Sequence, residues 1–524
     1  MIQFYRTRDP YGFLSNYAET PIELDGLLWP SVEHYYQAQK FPHDAALREQ
    51  IRACADAFEA KQLAWQHAAI RADWESVRDD VMRTALRAKF SQNMHLGMAL
   101  LATGETKLIE HTKRDSYWGD GGDGSGVNRM GELLASIRAE LAAAAQPGVN
   151  RVLLNWLLEC GSIELIDSPF LRTPPPACTI AWPRVEGMLL GIAIGDALGN
   201  ASEGQNPGAR MAARGEIRDY VPNQYADWRA VGVPSDDTQL AFRTLAQLVA
   251  DGRLIPQALA ERFCSGQIFG IGQAVREFVD AFSNKQEPWQ RAGTASAGNG
   301  ALMRIAPVLV PYIHAPSAEL WADTALAAMI THNDSASIAS CVAFTAMLWE
   351  LLAMTQPPAP AWWRTRFVEI VTQLEVDTTY RPRSPHVPQM ELPFSAWIDK
   401  YLSDPDLAAL STLEACNRWY SAAFLLETVP SALLILQRYA HDPEEAIVRA
   451  VNDTRDNDTI AAIVGAAVGA LHGVDALPAR WRDGLLGRLS FDDDGALFAL
   501  IDAARTRWGD CGLVADAGST PVTL

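Results

Sequence analysis

Two short acidic clusters carry the strongest chemical content of this chain. Ser235-Asp236-Asp237-Thr238 follows Pro234 and precedes the amphipathic run Leu240, Phe242, Leu245, Leu248, and Asp456-Asn457-Asp458-Thr459 stands directly before the apolar run that begins at Ile460. Each cluster sits at an expected helix start, where Ser and Asp are preferred caps, so either one alone reads as capping. Two of them, each with two carboxylates and a hydroxyl, supply the oxygen-rich ligand set that one or two hard divalent ions require if the fold joins them. Glu203 offers a fifth carboxylate. Between the clusters, Ser296-Ala297-Gly298-Asn299-Gly300-Ala301-Leu302-Met303-Arg304 is a small-residue loop in which Gly298 and Gly300 let backbone amides approach an anionic or sugar-bearing ligand. A tight turn is the alternative reading. His332 follows an apolar helix, a position where histidine also serves as an end cap.

A different chemistry is written near the N-terminus. Ser31 is a candidate N-cap, and on the helix after it Glu33, Gln37 and Lys40 fall at i, i+4 and i+7, hence on one face, with Tyr36 alongside. Such a stripe is a solvated face in most helices. Here it lies among aromatic residues (Tyr17, Trp29, Tyr35, Phe41), where a carboxylate beside a lysine suits general acid–base work and rings suit stacking on a base or sugar. The segment Asp115 to Gly131 is rich in glycine and feeds a helix. It could present amides to a phosphate with Arg129 as counter-charge, although its own aspartates oppose that.

The elements that must position these residues are mostly helices. The 524 residues, 48% of them hydrophobic and 20% charged, are a prior for two to four domains and exclude global disorder. The formal charge of −19, from 44 basic and 63 acidic residues, repels polyphosphate backbones, so any nucleic-acid contact must be local. The N-terminus lacks a basic run followed by an apolar core, so a cytoplasmic location is expected, and no uninterrupted stretch is read as membrane-spanning. Seven scattered cysteines without a C-x-x-C pair argue against a disulfide framework and a zinc site, leaving carboxylates and hydroxyls to bind magnesium, calcium or manganese.

Residues 1–143 are expected to form one domain and 144–182 a bridging segment with Pro174-Pro175-Pro176 as a stiff spacer. A nearly all-helical domain over 183–510 and a tail over 511–524 complete the chain. Within the helical domain a Pro-rich stretch from Gln356 to Pro393 reads as a surface excursion. Gly187, Gly191, Gly195 and Gly199 recur every fourth residue, as do Gly465, Gly469 and Gly473. Each set strips side chains from one helix face, and because an interior glycine costs roughly 0.8–1 kcal/mol relative to alanine, the stripes predict a close helix crossing.

Taken in order, Gly191-x-x-x-Gly195-Asp196-Ala197-Leu198-Gly199 with Glu203, Ser235-Asp236-Asp237-Thr238, Gly298-Asn299-Gly300 with Met303-Arg304, His332, and Asp456-x-Asp458-Thr459 resemble the ADP-ribosylglycohydrolase family over about residues 183–487. The family includes dinitrogenase reductase-activating glycohydrolases and ADP-ribosylarginine hydrolases. The resemblance implies an all-α fold with two magnesium ions, replaceable by manganese, held by Glu203, Ser235, Asp236, Asp237, Asp456, Asp458 and Thr459. Among these it implies catalytic roles for Glu203, Asp237 and Asp458, and it places Ser296, Asn299 and His332 along the ADP-ribose pocket. Two departures are visible: Thr454-Arg455 stands where the family usually has two glycines, and Ser235 where Thr is common.

Over residues 2–141 the aromatic-rich blocks resemble the NADAR family, whose activities are N-glycosidic and whose small domain is an α-rich α+β fold. Glu33 matches the family's essential acid, and Asn16, Trp29, Lys40, Trp74, Asp115, Tyr117, Trp118 and Gly119 match other characteristic positions expected to bind substrate. The segment Phe58 to Ala68 lacks the glycine often found there. The whole chain is therefore expected to be mainly α, a bifunctional hydrolase removing ADP-ribose from protein, most simply from arginine. Expected partners are the ADP-ribosylated protein, an ADP-ribosylated nucleobase for the N-terminal domain, and a cognate ADP-ribosyltransferase toxin if the protein is an immunity factor. No membrane partner is expected. The competing expectation is a non-catalytic immunity or sensor protein that binds the transferase or ADP-ribose.

Overall fold

The computed structural model describes residues 1–144, 148–491 and 493–509, so Cys511 and the expected tail lie outside the described residues. The chain divides into two compact units, one of residues 1–156, with Gln286–Pro288 grouped with it, and one built on the remainder from Leu157.

In the first unit the strands are short and the helices carry the core. β1 (Ile2–Phe4) pairs in parallel with β4 (Leu108–Glu110), bringing Phe4 opposite Glu110. β2 (Ile22–Leu24) and β3 (Leu27–Trp29) form an antiparallel hairpin. Its turn is Asp25-Gly26, with φ of 55° and 73°, the paired positive dihedrals that a two-residue turn between right-twisted strands requires and that Asp-Gly tolerates. Ser31 caps the Val32–Ala38 helix by accepting from the His34 N–H, as its position predicts. Leu14, Trp29, Val32, Leu86, Leu108, Leu133 and Leu134 are fully or almost fully buried in one core.

The second unit is helical, and its centre is the predicted glycine crossing. A Cβ on Gly191 would lie 2.0 Å from the carbonyl oxygen of Gly465, and one on Gly195 would lie 2.1 Å from that of Ala461. No side chain fits there, so the Trp182–Gly199 and Asn457–His472 helices run backbone against backbone. Gly473 has another duty: at φ 83° it terminates its helix as the C-cap, so the second stripe ends at Gly469. At the far end of the crossing a Cβ on Gly199 would touch the Asp458 Cα at 2.4 Å, which sets the first helix directly against the second acidic cluster.

Three expectations need correction. The stretch 356–393 is not a surface excursion, because it contains the Pro360–Thr372 helix with Trp363, Phe367, Ile370 and Val371 buried. Its prolines act as punctuation, Pro360 opening the helix at the position where a missing N–H costs nothing. The proline spacer is not free: Trp321 Nε1 donates to Thr173 O at 2.7 Å and Trp349 Nε1 to Pro176 O at 2.9 Å, and residues from Leu157 cluster with the second unit. One helix among the described residues, Ser335–Ala353, is long and apolar enough to cross a membrane, contrary to the reading above. It is 89% buried within the protein, which accounts for its apolar surface as core.

Candidate active sites

Asp196 organises the acidic site of the second unit. Set inside the glycine-striped helix with no exposure, it accepts from the Ser235 N–H at 2.8 Å, Ser235 Oγ at 2.6 Å, the Thr238 N–H at 3.1 Å, Thr238 Oγ1 at 2.6 Å and Asn200 Nδ2 at 3.0 Å. One carboxylate thus satisfies orphan amides at the start of the Asp236–Asp251 helix and fixes that helix end against the crossing. In the sequence Asp196 appears within the Gly191–Gly199 motif with no role assigned to it. The signal available was its setting, since a carboxylate inside an apolar helix has to find several donors.

Around this anchor four of the seven expected ligands, Glu203, Asp237, Asp456 and Asp458, converge. Carboxylate oxygens of Asp196, Asp237 and Asp458 lie within 4.8 Å of one another, and so do those of Glu203, Asp456 and Asp458, with Asp458 common to both groups. Asp237 Oδ1 is buried and has no hydrogen-bond partner. Asp236 stands slightly apart, accepting from the Gly272 N–H at 3.3 Å. Gly270, at φ 74°, lets that loop pass, because a Cβ there would be 3.3 Å from Asp236 Oδ1. The Ser235 hydroxyl is given to Asp196, while Thr459 donates its N–H to Asp458 Oδ1 at 3.0 Å and places its hydroxyl 4.0 Å from Met303 Sδ.

Burial is the first cause, and mutual repulsion the second, of the electrostatics here. Asp237 and Asp458 are raised well above the usual carboxylate range, Asp236 to about 8 and Glu203 to about 7. Asp456 rises less, to about 6, because Asn299 Nδ2 donates to it at 2.5 Å. A carboxylate cluster centred on buried Asp237 and Asp458, with Asp237 Oδ1 left without any donor, fits a hard divalent cation, which would replace protons as the neutralising charge.

That arrangement has a consequence for stability. These groups bind protons more tightly in the folded than in the unfolded chain, so the folded state holds the extra protons and stability falls as pH rises. Metal-free protein is therefore expected to lose thermal stability between about pH 4, the ordinary carboxylate value, and about pH 8, where Asp236 titrates. Added magnesium should raise the melting temperature more at pH 8 than at pH 5. Equal shifts at the two pH values, read by differential scanning calorimetry after chelation, would contradict a cation bound by these carboxylates.

The small-residue loop adjoins the acidic site. Asn299 bridges Asp456 and Thr428 Oγ1, the latter at 3.0 Å. The Gly298 N–H donates to Ser296 Oγ at 3.3 Å, and a Cβ on Gly300 would lie 2.8 Å from His332 Cε1, so Ser296, Asn299 and His332 share one wall. His332 is buried, pairs through Nδ1 with Thr331 Oγ1 at 2.8 Å, and is lowered to about 3 by burial and by Arg304; it is neutral at physiological pH. Arg455 is held by Asn206 Oδ1 and stands 4.0 Å over the Tyr420 ring.

In the first unit the stripe predicted after Ser31 is not solvated, since Glu33, Gln37 and Lys40 are all buried, and it is not wholly helical, since the helix ends at Ala38 and Lys40 lies in the turn beyond it. Glu33 accepts from Asn16 Nδ2 at 2.5 Å on one oxygen and from Gln37 Nε2 at 2.7 Å on the other. Desolvation raises its carboxyl, and the two amides with Lys61 and Lys40 pull it back. Lys40 Nζ stands 5.5 Å from the Trp74 ring and 5.6 Å from that of Tyr36. Tyr36 packs edge-on against Trp74 and Trp118 with centroids 5.0 and 5.7 Å away. Asp115 holds the loop that carries Tyr117 and Trp118 by accepting both of their N–H groups at 2.8 Å. Gly119 is a packing glycine, because a Cβ would lie 2.8 Å from Glu110 O.

Two sequence readings find no support in this geometry. Trp29 has no exposure, packs edge-on against Tyr35 and gives its Nε1 to Leu24 O, so it belongs to the core rather than to the Glu33 face. Arg129 is spent on Asp79 and Glu132, and the Gly124 and Gly126 amides both donate to Asp120 O, leaving the glycine-rich loop no free anion cradle.

Comparison with known proteins decides the family. The ADP-ribosylglycohydrolase profile matches residues 180–510, and that of the NADAR domain matches residues 3–142. The chain belongs to the ADP-ribosylglycohydrolase family. Its first unit carries the NADAR domain: N-glycosidase YbiA of Escherichia coli strain K12 is 50% identical over 143 residues, covering 27% of this chain and 89% of that protein. A riboflavin biosynthesis protein of Vibrio vulnificus is 46% identical over 145 residues, 27% of this chain and 38% of its own length. A solved ADP-ribosylglycohydrolase-related protein complex is 24% identical, covering 62% of this chain and 98% of that one with a TM-score of 0.46. The protein is thus a glycosyl hydrolase that joins an ADP-ribosylglycohydrolase domain to a NADAR domain.

Proposed function

We propose that the protein hydrolyses ribosyl C1–N bonds at two independent sites. The second unit removes ADP-ribose from arginine on modified proteins with the help of two magnesium ions. The first cleaves a nucleobase N-riboside, ADP-ribosylated guanine included. Reversal of a toxin's ADP-ribosylation in the cytoplasm is the setting that suits both. The observation that carries this reading is the meeting of carboxylates from Asp196, Glu203, Asp237, Asp456 and Asp458 beside the Ser296–Gly300 loop.

Divalent ions bound by those carboxylates would supply Lewis acidity towards water and the ribose hydroxyls. The chain does the rest. Asp237 and Asp458 hold the cations, and Asp196 keeps the helix end that carries Asp237 in place. Glu203, which retains contact with solvent, exchanges the proton. Ser296 and Asn299 orient the sugar against a wall that neutral His332 completes. In the first unit Glu33 is the acid–base group, and Tyr36, Trp74 and Trp118 offer rings to the ligand.

Metal dependence separates the two sites, since among the described residues the acidic ligand groups lie only in the second unit. With EDTA, release of ADP-ribose from arginine-modified protein should stop and return with magnesium, while cleavage of a nucleobase N-riboside continues. If both activities fail together, the NADAR domain is an accessory to one catalytic centre. Binding of ADP-ribose without any release would favour a sensor.

A further inference from the structure

Among the described residues, Glu110 is a carboxyl under the influence of Glu33 that has a buried oxygen without a partner. It ends β4, and its main chain is pinned: its N–H donates to Asn128 Oδ1 at 2.9 Å, its carbonyl accepts from the Asp120 N–H at 3.0 Å, and the next N–H, of His111, donates to Phe4 O at 3.0 Å. The side chain is only 8% exposed, and Oε2 has no hydrogen-bond partner.

The acidic neighbours are all occupied. Asp115 takes the Tyr117 and Trp118 amides, and Asp120 takes the Thr112 and Gly122 amides and His111 Nδ1. Glu33 takes Asn16 and Gln37. A buried, pinned and unpaired carboxyl costs stability and has no structural duty to offset it, which marks it as functional.

Glu110 backs the loop that carries Trp118, its carbonyl oxygen 2.8 Å from where a Gly119 Cβ would lie, and it feels the charge of Glu33. The Tyr17 phenol is raised by burial, by Glu33 and, more weakly, by Glu110, and the Lys61 ammonium, 5.8 Å from the Tyr17 ring, acts on both carboxyls. Burial raises both carboxyls, but their surroundings differ. Both Glu33 oxygens face amide N–H donors, which favour a carboxylate. Glu110 faces the negative charges of Asp115, Glu33 and Asp120, against Lys61 alone, and burial with that repulsion lifts it to about 7.

We propose that Glu110 is a second catalytic carboxyl of the NADAR domain, the general acid that protonates the departing nitrogen while Glu33 acts as the base. This rests on the reading of the first unit as an N-glycosidase. Water forms the new C1–O bond and passes its proton to Glu33. The C1–N bonding pair leaves with the nitrogen and receives the Glu110 proton. Glu33 then returns its proton and Glu110 regains one through solvent, so two carboxyls carry opposite duties in one site.

The test is steady-state cleavage by the full-length protein of two classes of N-riboside 5′-phosphate. A purine or pyrimidine leaves as a basic nitrogen that needs a proton, whereas a nicotinamide ring leaves as a neutral molecule and needs none. Glu110→Gln should lower kcat for the first class by about 100- to 10,000-fold, the usual range for general acid catalysis. Any nicotinamide riboside cleavage should stay within about threefold. Wild-type turnover of the base-leaving substrate should decline above about pH 7, with Glu110→Gln lacking that limb. Glu110→Asp should keep the limb at a reduced rate and serves if the glutamine variant does not fold. An active wild type with no such limb, or a glutamine variant within threefold on the base-leaving substrate, overturns Glu110 alone. No cleavage of any substrate by wild-type protein overturns the N-glycosidase reading itself.

Discussion

Asp237→Ala is expected to abolish release of ADP-ribose from arginine-modified protein, a loss of about a thousandfold or more. A metal site contributes several kcal/mol to the transition state, and each 1.36 kcal/mol is about tenfold. Asp237 contributes more than its share because its Oδ1 is buried with no other partner, so the carboxylate has a reason to be there only when a cation neutralises it. The same substitution should have an opposite effect on the chelated protein. It removes a charge from a cluster in which Asp196, Asp236, Asp456 and Asp458 all repel it, so the metal-free variant should melt at or above the wild-type temperature at pH 8. Manganese anomalous scattering should lose a site shared by Asp237 and Asp458. A variant that remains active, or that keeps that site, would end the metal reading.

Glu33→Gln should reduce N-riboside cleavage by about 100- to 10,000-fold while ligand binding, followed by calorimetry, persists. Binding persists because the rings of Tyr36, Trp74 and Trp118 are untouched. The substitution is nearly isosteric but not silent. Asn16 and Gln37 each aim an amide N–H at Glu33, so the new amide leaves one donor facing a donor unless a neighbour flips, at a cost of about 1–3 kcal/mol in stability. A change below roughly threefold in turnover on a responsive substrate would return Glu33 to a structural role.

Helical spacing made much of this protein legible in advance. Glu33 and Gln37 share a face of the Val32–Ala38 helix, and Gly187, Gly191 and Gly195 strip one, because the 3.6-residue turn is a local property that sequence distance records directly; Lys40 falls past the end of its helix and reaches the site from the turn that follows. The Ser31 cap is local for the same reason, side-chain reach over three residues. The two acidic clusters were visible as helix starts, and their types already named a hard cation.

What faces each of those residues was decided only by the tertiary structure. Asp196 was a motif residue without a role until Ser235 and Thr238 were brought within 3.1 Å of it. Trp29, matched to a binding position, became core, while Glu110, unremarked in sequence, became a buried carboxyl with an oxygen left without a partner. The Gln356–Pro393 stretch looked like loop from its prolines and turned out to supply a buried helix, because proline at a helix start and proline in a loop have the same composition. Periodicity and caps depend on atoms a few residues apart along the chain. Desolvation, charge repulsion and the pairing of a buried polar group depend on atoms hundreds of residues apart in sequence and a few ångströms apart in space, and no spacing rule carries that information.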